Sequence, residues 1–249
     1  MTQRYFLYIS FNGNKYHGWQ KQINSITIQH VIQDSINKFF RQKIEVVGAG
    51  RTDTGVHANE MVAHIDLAKV NIDNFLYRLN SVLPDDIKVF KMIHVNKSAH
   101  ARFDAVKRCY RYYIVTKKDP FRLGTSWLFS KELDFQIMDQ ACKILLKNKD
   151  FKSFEKSHSG ASNSICELYD IGFQQEKDLI IFNICANRFL RNMVRSILGT
   201  LIMLGEGKIN LNKFIVIINS RDRSSAGHSV PASGLFLHKI SYSNSVFVL

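Results

Sequence analysis

The sequence is poor in proline and cysteine and has no long apolar run, and each absence excludes a class of protein. Its 249 residues contain only 3 prolines, and no low-complexity segment interrupts them. The cysteines, which are Cys109, Cys142, Cys166 and Cys185, have no Cys-x-x-Cys spacing. This pattern predicts reduced thiols in a cytoplasmic protein and not a disulfide framework. No stretch reaches about 18 continuous apolar residues, so we expect no membrane partner or membrane-spanning helix.

Acidic side chains are outnumbered by basic ones, 21 against 34, which gives a formal net charge of +13. Such an excess attracts polyanions and releases counterions when it meets phosphates. A solvated basic surface without any partner would have the same composition. Both halves of the chain are basic, however, which favours a shared phosphate-binding face over a detachable basic tail.

What the chain does contain is enough apolar material for a core, with 45% hydrophobic and 12% aromatic residues. Alternating and helical periodicities predict the order β-α-β-β-α-β in the first half and a similar order in the second. The predicted strands are Arg4–Ser10, Ile44–Val47, Met61–Leu67, Ile87–Val95, Tyr110–Thr116, Ser164–Phe173, Leu179–Ala186 and Leu235–Tyr242. The predicted helices are Thr27–Phe40, Asp73–Leu83, Phe135–Leu146, Arg188–Leu204 and Leu211–Ile218.

This order predicts an α+β protein built from two tandem ferredoxin-like, or split βαβ, units. We place the N-terminal subdomain at residues 1–105 and the C-terminal subdomain at residues 106–249. Each unit has a mainly antiparallel sheet with helices on one face, which leaves the other face free. In a basic protein, a free sheet face and a cleft between the two units suit RNA binding.

The most unusual segment is Gly48–Ala58, GAGRTDTGVHA, which joins two predicted strands. It holds three glycines together with Arg51, Asp53 and His57, and such tight polar loops between strands often carry functional sites. No Gly-Lys-Ser/Thr follows, so the segment is not a P-loop. A plain turn in which Asp53 caps backbone N–H groups and pairs with Arg51 would explain the same residues.

The residues GRTDTGVHA, 50–58, resemble the catalytic motif of the tRNA pseudouridine synthase A family, with Thr54 where the family usually has Ala. Further similarity extends over most of the chain and keeps the family's order. The other matching segments are NGNKYHGWQKQ (12–22), ARFDAVKRCYRYYI (101–114), ANRFLRNMVRSILGT (186–200) and PASGLFL (231–237). Five matches in order make the resemblance far more specific than any one of them alone.

The resemblance implies a role for individual residues of this chain. Asp53 corresponds to the essential carboxylate, and Arg195 would pair with it and hold it ionised. Tyr110 would stack on the uracil, Arg51 would help to extrude the target nucleotide, and Leu235 would pack against the pocket floor. The basic residues of the aromatic-basic segment are expected to contact the RNA backbone: Arg102, Lys107, Arg108 and Arg111.

Each of these assignments has a structural alternative. Tyr110 lies in a run of alternating tyrosines, which on a strand often belong to the core. Arg195 has apolar neighbours in the sequence but would also suit an exposed helix face, and the basic residues around position 108 would also suit a solvated surface. His57 receives no chemical role and would stabilise the loop.

The family's reaction breaks the N1–C1′ bond of uridine, rotates the uracil and rejoins it through C5. It needs neither a redox change nor a group donor, so we expect no cofactor, and the His and Cys residues lack metal-ligand spacing. The reaction does need a carboxylate kept charged by a guanidinium and a base taken out of its stack. Whether Asp53 attacks C1′, adds to C6 or removes a 2′ proton is left open by the sequence.

The sequence therefore predicts a tRNA pseudouridine synthase that acts on the anticodon stem-loop, the region at positions 38–40 that the resemblance implies. The resemblance also implies a homodimer. Two other interpretations remain: a non-catalytic RNA-binding protein with the same fold, and a pseudouridine synthase with a different RNA target. The intact Arg51-Thr52-Asp53 sequence and Tyr110 favour an enzyme, because a binding protein needs neither.

Overall fold

The computed structural model describes residues 2–40, 43–157, 159–160 and 162–248. Over these residues the protein has an α+β fold of five α-helices and nine strands, and most of its strand pairs are antiparallel. The chain divides into two compact units, Met1–Val106 together with Phe236–Leu249, and Lys107–Leu235. No helix in the described part of the chain is long and apolar enough to cross a membrane.

The first unit is organised around its N-terminal strand. Its elements are β1 (Thr2–Phe11), α1 (Ile28–Phe40), β2 (Val47–Gly48), β3 (His57–Ala68), α2 (Ile72–Asn80), β4 (Ile87–Val95) and most of β9 (Leu235–Tyr242). Strand β1 pairs antiparallel with both β3 and β4, so Leu7 lies between Ala63 and Met92. Five consecutive residues of the strand, 5–9, are buried, so both faces of β1 are covered, because successive side chains point to opposite faces.

The C-terminal segment, residues 236–249, lies in the first unit and not in the C-terminal subdomain that the sequence predicts. Strand β9 runs parallel to β3, with Phe236 opposite His57. The Tyr242 hydroxyl donates to the Ala101 carbonyl oxygen at 2.6 Å, and the Tyr242 ring lies 4.9 Å from that of Phe6. These partners are more than 130 residues away in the chain, so local patterns give no sign of them.

The second unit has a three-stranded antiparallel core with β8 at its centre. Its elements are β5 (Ala105–Val115), β6 (Trp127–Leu128), α3 (Phe135–Lys147), β7 (Leu168–Glu176), β8 (Leu179–Ala186), α4 (Met193–Gly205) and α5 (Leu211–Ser220). Strand β8 pairs with β5 on one side and β7 on the other. Phe182 of β8 is fully buried, and its ring contacts Phe173 of β7, which in turn contacts Phe135 of α3.

Helix α4 begins later than predicted. The sequence suggested a helix over Arg188–Leu204, but the helix starts at Met193. Asn192 has a left-handed backbone conformation, with φ 67°, which a right-handed helix cannot include. The Asn192 side-chain amide donates to the Ser229 hydroxyl at 2.6 Å, a long-range contact that holds this conformation.

The prediction that all the cysteines are reduced thiols is wrong for one pair. Cys109 and Cys185 form a disulfide, because they are direct partners on the antiparallel strands β5 and β8. They are 76 residues apart, and only the strand register brings them together. Cys142 and Cys166 are buried free thiols, and burial raises their pKa values to about 12 and about 11.

Candidate active site

The Asp53 loop, residues 49–56, connects β2 to β3 as the sequence predicted. Asp53 is half-buried in it and Arg51 is exposed. Beneath the loop lies the buried ring of Trp19, so close to the start of the loop that a Cβ added at Gly48 would lie 2.3 Å from the indole nitrogen. Trp19 belongs to the N-terminal loop, residues 12–22, which is also one of the segments that resemble the family.

Two glycines let the N-terminal loop touch the backbone on both sides of Asp53. A Cβ added at Gly18 would lie 2.2 Å from the carbonyl oxygen of Thr52, and one at Gly13 would lie 2.0 Å from that of Val56. Gly18 also has φ +81°, a conformation that favours glycine. The Asp53 carbonyl oxygen accepts a hydrogen bond from the Val56 N–H at 3.2 Å. The backbone that carries the Asp53 carboxylate is therefore fixed from two directions.

Tyr16 anchors the N-terminal loop itself. Its carbonyl oxygen accepts from the Gly55 N–H at 3.3 Å, and its hydroxyl donates to the Asp86 carboxylate at 2.5 Å. Burial, reinforced by this hydrogen bond, raises the pKa of the Tyr16 phenol. The phenol is neutral at physiological pH, as any tyrosine is, and the raised pKa keeps it a donor at higher pH.

His57 connects three segments at the end of the Asp53 loop. Its side chain is fully buried, and Nδ1 accepts a hydrogen bond from the Gly13 N–H at 3.0 Å. The His57 ring stacks on the Phe236 ring at 4.4 Å with an interplanar angle of 20°. Within the first unit, His57 therefore connects the end of the Asp53 loop to the N-terminal loop and to the first residues of β9. These contacts support the expectation that His57 stabilises this loop.

In the second unit, Tyr110 lies on β5 opposite Ile184 of β8. Its half-exposed ring meets the Phe189 ring edge-on, with 5.1 Å between centroids and an interplanar angle of 89°. Arg108 shares this face of β5, because side chains alternate along a strand, and its guanidinium donates to the Asn187 carbonyl oxygen at 2.8 Å.

Lys107 and Arg111 lie on the other face of β5. Arg111 donates to the Asn183 side chain at 3.0 Å, and both Lys107 and Arg111 are half-buried. The basic residues of this strand therefore point in two directions. A single stretch of RNA backbone cannot meet all of them at one face.

Arg195 lies in the first turn of α4, and its Nε donates to the Val230 carbonyl oxygen at 2.7 Å. The same segment comes very close to the helix further along, where a Cβ at Gly199 would lie 1.8 Å from the His228 carbonyl oxygen. The Thr200 hydroxyl accepts from the Gly227 N–H at 2.9 Å. The Arg195 side chain is thus half-buried and directed by the backbone that leads to Leu235.

Tyr112 holds the next part of that backbone. Its hydroxyl donates to the Pro231 carbonyl oxygen at 2.8 Å, and a Cβ at Gly234 would lie 2.5 Å from its ring. Burial raises the pKa of the Tyr112 phenol, so it is a neutral donor. Within the second unit, these contacts connect the Tyr110 strand, the Arg195 helix and the buried side chain of Leu235.

The predicted site residues are divided between the two units. Asp53, Arg51 and Arg102 belong to the first, whereas Tyr110 and Arg195 belong to the second. The pairing of Asp53 with Arg195 accordingly remains a prediction. Among the described residues, no group of three or more His, Cys, Asp or Glu side chains is arranged to hold a metal ion.

The sequence profile of the tRNA pseudouridine synthases matches residues 7–104 and 141–243. The chain belongs to the tRNA pseudouridine synthase family. A Bacteroides fragilis relative named tRNA pseudouridine synthase A is 44% identical over 249 residues, which cover 99% of each chain. A relative of the same name from Parabacteroides distasonis is 43% identical over 98% of each chain, and one from Acetivibrio thermocellus is 39% identical over 95% of this chain.

The residues matched to the tRNA pseudouridine synthase profile include Asp53, Arg195 and Leu235. Tyr110 lies between the two matched ranges, and Phe103, seven residues before it, lies inside the first. The supporting contacts of Gly13 and Gly18 do not follow from the sequence. The resemblance of residues 12–22 to the family indicates that the segment with these two glycines is functionally important. It does not show that this segment contacts the Asp53 loop.

Proposed function

We propose that this protein converts uridine into pseudouridine in the anticodon stem-loop of tRNA, at positions 38–40. Its relatives are named tRNA pseudouridine synthase A, and they match it over nearly its whole length. The observation that supports the proposal most is the immobilised backbone on both sides of Asp53. Fixing a reactive group before the substrate arrives is what catalysis by positioning requires.

In the proposed mechanism, the Asp53 carboxylate starts the cleavage of the N1–C1′ bond, and the uracil is retained and rotates. A C5–C1′ bond then forms, the C5 proton is released to solvent, and N1 takes up a proton. Arg195, whose direction is fixed by its bond to the Val230 carbonyl oxygen, keeps the carboxylate charged as water is excluded. The ring of Tyr110 stacks on the extruded uracil and offsets the stacking lost from the RNA. Arg51 is exposed, as a residue that contacts the extruded nucleotide must be. Leu235 forms the floor.

We further propose that the two subdomains, with residues 236–249 counted in the first and not in the second, are ferredoxin-like units and that the RNA-binding cleft lies between them. Arg108 shares the Tyr110 face of β5, so it would contact phosphates next to the target. Lys107 and Arg111 would contact RNA elsewhere, and Arg102 is exposed on the first unit. The enzyme would act in the cytoplasm as a homodimer, as the family resemblance implies.

The decisive experiment is Asp53→Asn, which keeps the size of the side chain and removes its negative charge. The variant should fold and bind tRNA but release no tritium from tRNA labelled at uracil C5, because neither a nucleophile nor a base remains. Asp73→Asn is the matched control, since Asp73 is an exposed carboxylate at the start of α2. It should retain wild-type activity.

Two different results would contradict two parts of this proposal. Tritium release by the Asp53 variant near the wild-type rate would remove Asp53 from the chemistry. Pseudouridine mapped in a tRNA pool only at positions outside 38–40 would leave the reaction intact and refute the proposed target.

A further inference from the structure

A tight turn at residues 100–104 presents an aromatic ring to solvent. Phe103 is 73% exposed, although it lies between the buried residues Ala101 and Ala105. The His100 ring lies 4.3 Å from the Phe103 ring, and the guanidinium of Arg102 lies over the Phe103 ring at 5.6 Å. An exposed aromatic ring beside a cation is a combination that nucleic-acid-binding surfaces use to stack bases.

The turn is held rigidly from within. The His100 Nδ1 accepts from the backbone N–H groups of Arg102 and Phe103, at 3.1 and 3.4 Å. The His100 N–H donates to the Asp104 carboxylate at 2.7 Å. These bonds close the turn around the imidazole, so the backbone of Phe103 has little freedom to fold its ring back onto the protein.

A second layer of contacts fixes the turn to the sheet. The Ala101 N–H donates to Nδ1 of the buried His64 at 3.2 Å, and the Ala101 carbonyl oxygen accepts from the Tyr242 hydroxyl at 2.6 Å. The Arg4 guanidinium donates to the Ala99 carbonyl oxygen at 2.9 Å and also pairs with Asp66. These hydrogen bonds hold the backbone of the turn against the sheet while the Phe103 ring remains exposed. A turn that only faces solvent needs no such support.

We propose that Phe103 is a stacking platform for an unpaired nucleobase of the tRNA substrate, with Arg102 beside it to contact the adjoining phosphate. The inference rests on the tRNA binding proposed above and adds a base contact distinct from the Tyr110 stack. Because every base has a π-face, this contact distinguishes unpaired from paired nucleotides without reading sequence. It therefore favours substrates in which a loop lies beside a stem.

The test measures the dissociation constants of an RNA hairpin with an unpaired loop and of a fully paired duplex of the same length. Phe103→Ala should weaken hairpin binding by roughly 5- to 150-fold and leave duplex binding unchanged, because stacking needs an unpaired base. Phe103→Tyr should bind as wild type. Phe103→Leu, which keeps apolar volume but has no ring, should bind as weakly as Phe103→Ala.

Phe121→Ala is the matched control. Phe121 is 97% exposed on the second unit, and the neighbouring Arg122 pairs with Asp119 at 3.6 Å, so the control removes an exposed ring that lies outside the proposed platform. Hairpin binding should not change in this variant. The cost of Phe103→Ala should appear in the KM for tRNA and not in kcat, which separates this contact from the chemistry.

Three results would overturn the proposal. The first is wild-type hairpin binding by Phe103→Ala, and the second is full retention of binding by Phe103→Leu. The third is a loss of self-association by Phe103→Ala with unchanged hairpin binding, which would assign the ring to contact between two copies of the chain. Wild-type protein that forms no pseudouridine at all would instead refute the proposed function.

Discussion

Gly18 offers the sharpest test of the idea that the Asp53 loop is held in place by the N-terminal loop. In Gly18→Ala, the new methyl group would lie 2.2 Å from the Thr52 carbonyl oxygen. Carbon and oxygen atoms normally approach to about 3.3 Å, so the backbone next to Asp53 must retreat by about 1 Å. A displacement of that size in a catalytic group can lower the rate by about 100-fold.

The same substitution also strains the backbone, because φ at Gly18 is +81°. A left-handed residue with a side chain costs about 1–2 kcal/mol, which corresponds to a decrease in Tm of about 2 to 8 °C for a chain of this size. Gly207→Ala separates this strain from the displacement of the loop. Gly207 has φ +70°, but a Cβ there would meet no atom within 4 Å.

The assay is tritium release under saturating tRNA, measured beside Tm for Gly18→Ala, Gly207→Ala and Gly50→Ala. Gly207→Ala should lose stability and keep its turnover, and Gly50→Ala should keep both, because Gly50 has open space and no left-handed strain. Gly18→Ala should lose both stability and about 100-fold in turnover. Turnover of Gly18→Ala equal to that of Gly207→Ala would refute the idea that Gly18 positions the catalytic loop.

Two further predictions concern a stacked ring and a buried imidazole. Tyr110→Phe should keep measurable turnover, whereas Tyr110→Ala should lose roughly 5- to 150-fold in binding the flipped base. A Tyr110→Phe variant as inactive as Asp53→Asn would instead assign proton transfer to the Tyr110 hydroxyl. Burial lowers the pKa of His64 to about 4. The charges of Arg4 and His100 also lower this pKa, and those of Asp66 and Asp104 oppose the shift. The unfolded chain binds this proton at about pH 6.5, so stability should fall as the pH falls from there to about 4. The free energy of unfolding, measured with urea near pH 7.5 and pH 5, should decrease less for His64→Asn than for wild type between these two values. An equal decrease would contradict the prediction.

Much of the secondary structure followed from local patterns. The alternation in residues 87–95 predicted β4 with the same bounds that the structure has, and the predicted helix at 27–40 differs from α1 by one residue. The prediction failed where a long-range contact decided the local conformation, as at Asn192, whose left-handed backbone delays the start of α4. A periodicity over apolar residues contains no information about such a contact.

The candidate site was predictable as a motif but not as an arrangement. Glycines, a carboxylate and a guanidinium between two strands marked residues 48–58, and the resemblance to the family gave Asp53 its role. The close approaches of Gly13 and Gly18, and the hydrogen bond from Gly13 to His57, join positions 44 or fewer residues apart through tertiary packing. Nothing about an isolated glycine in a sequence says which carbonyl group it approaches.

By itself, then, the sequence determined the elements, the basic character and the identity of the chemical groups, because these depend on composition and on neighbours in the chain. The tertiary structure alone decided which distant segments meet. It placed β9 beside β3, paired Cys109 with Cys185 and set Phe103 on a buried histidine scaffold. These outcomes depend on strand register and on packing between residues up to 236 positions apart, where the free energy of a contact depends on both partners at once.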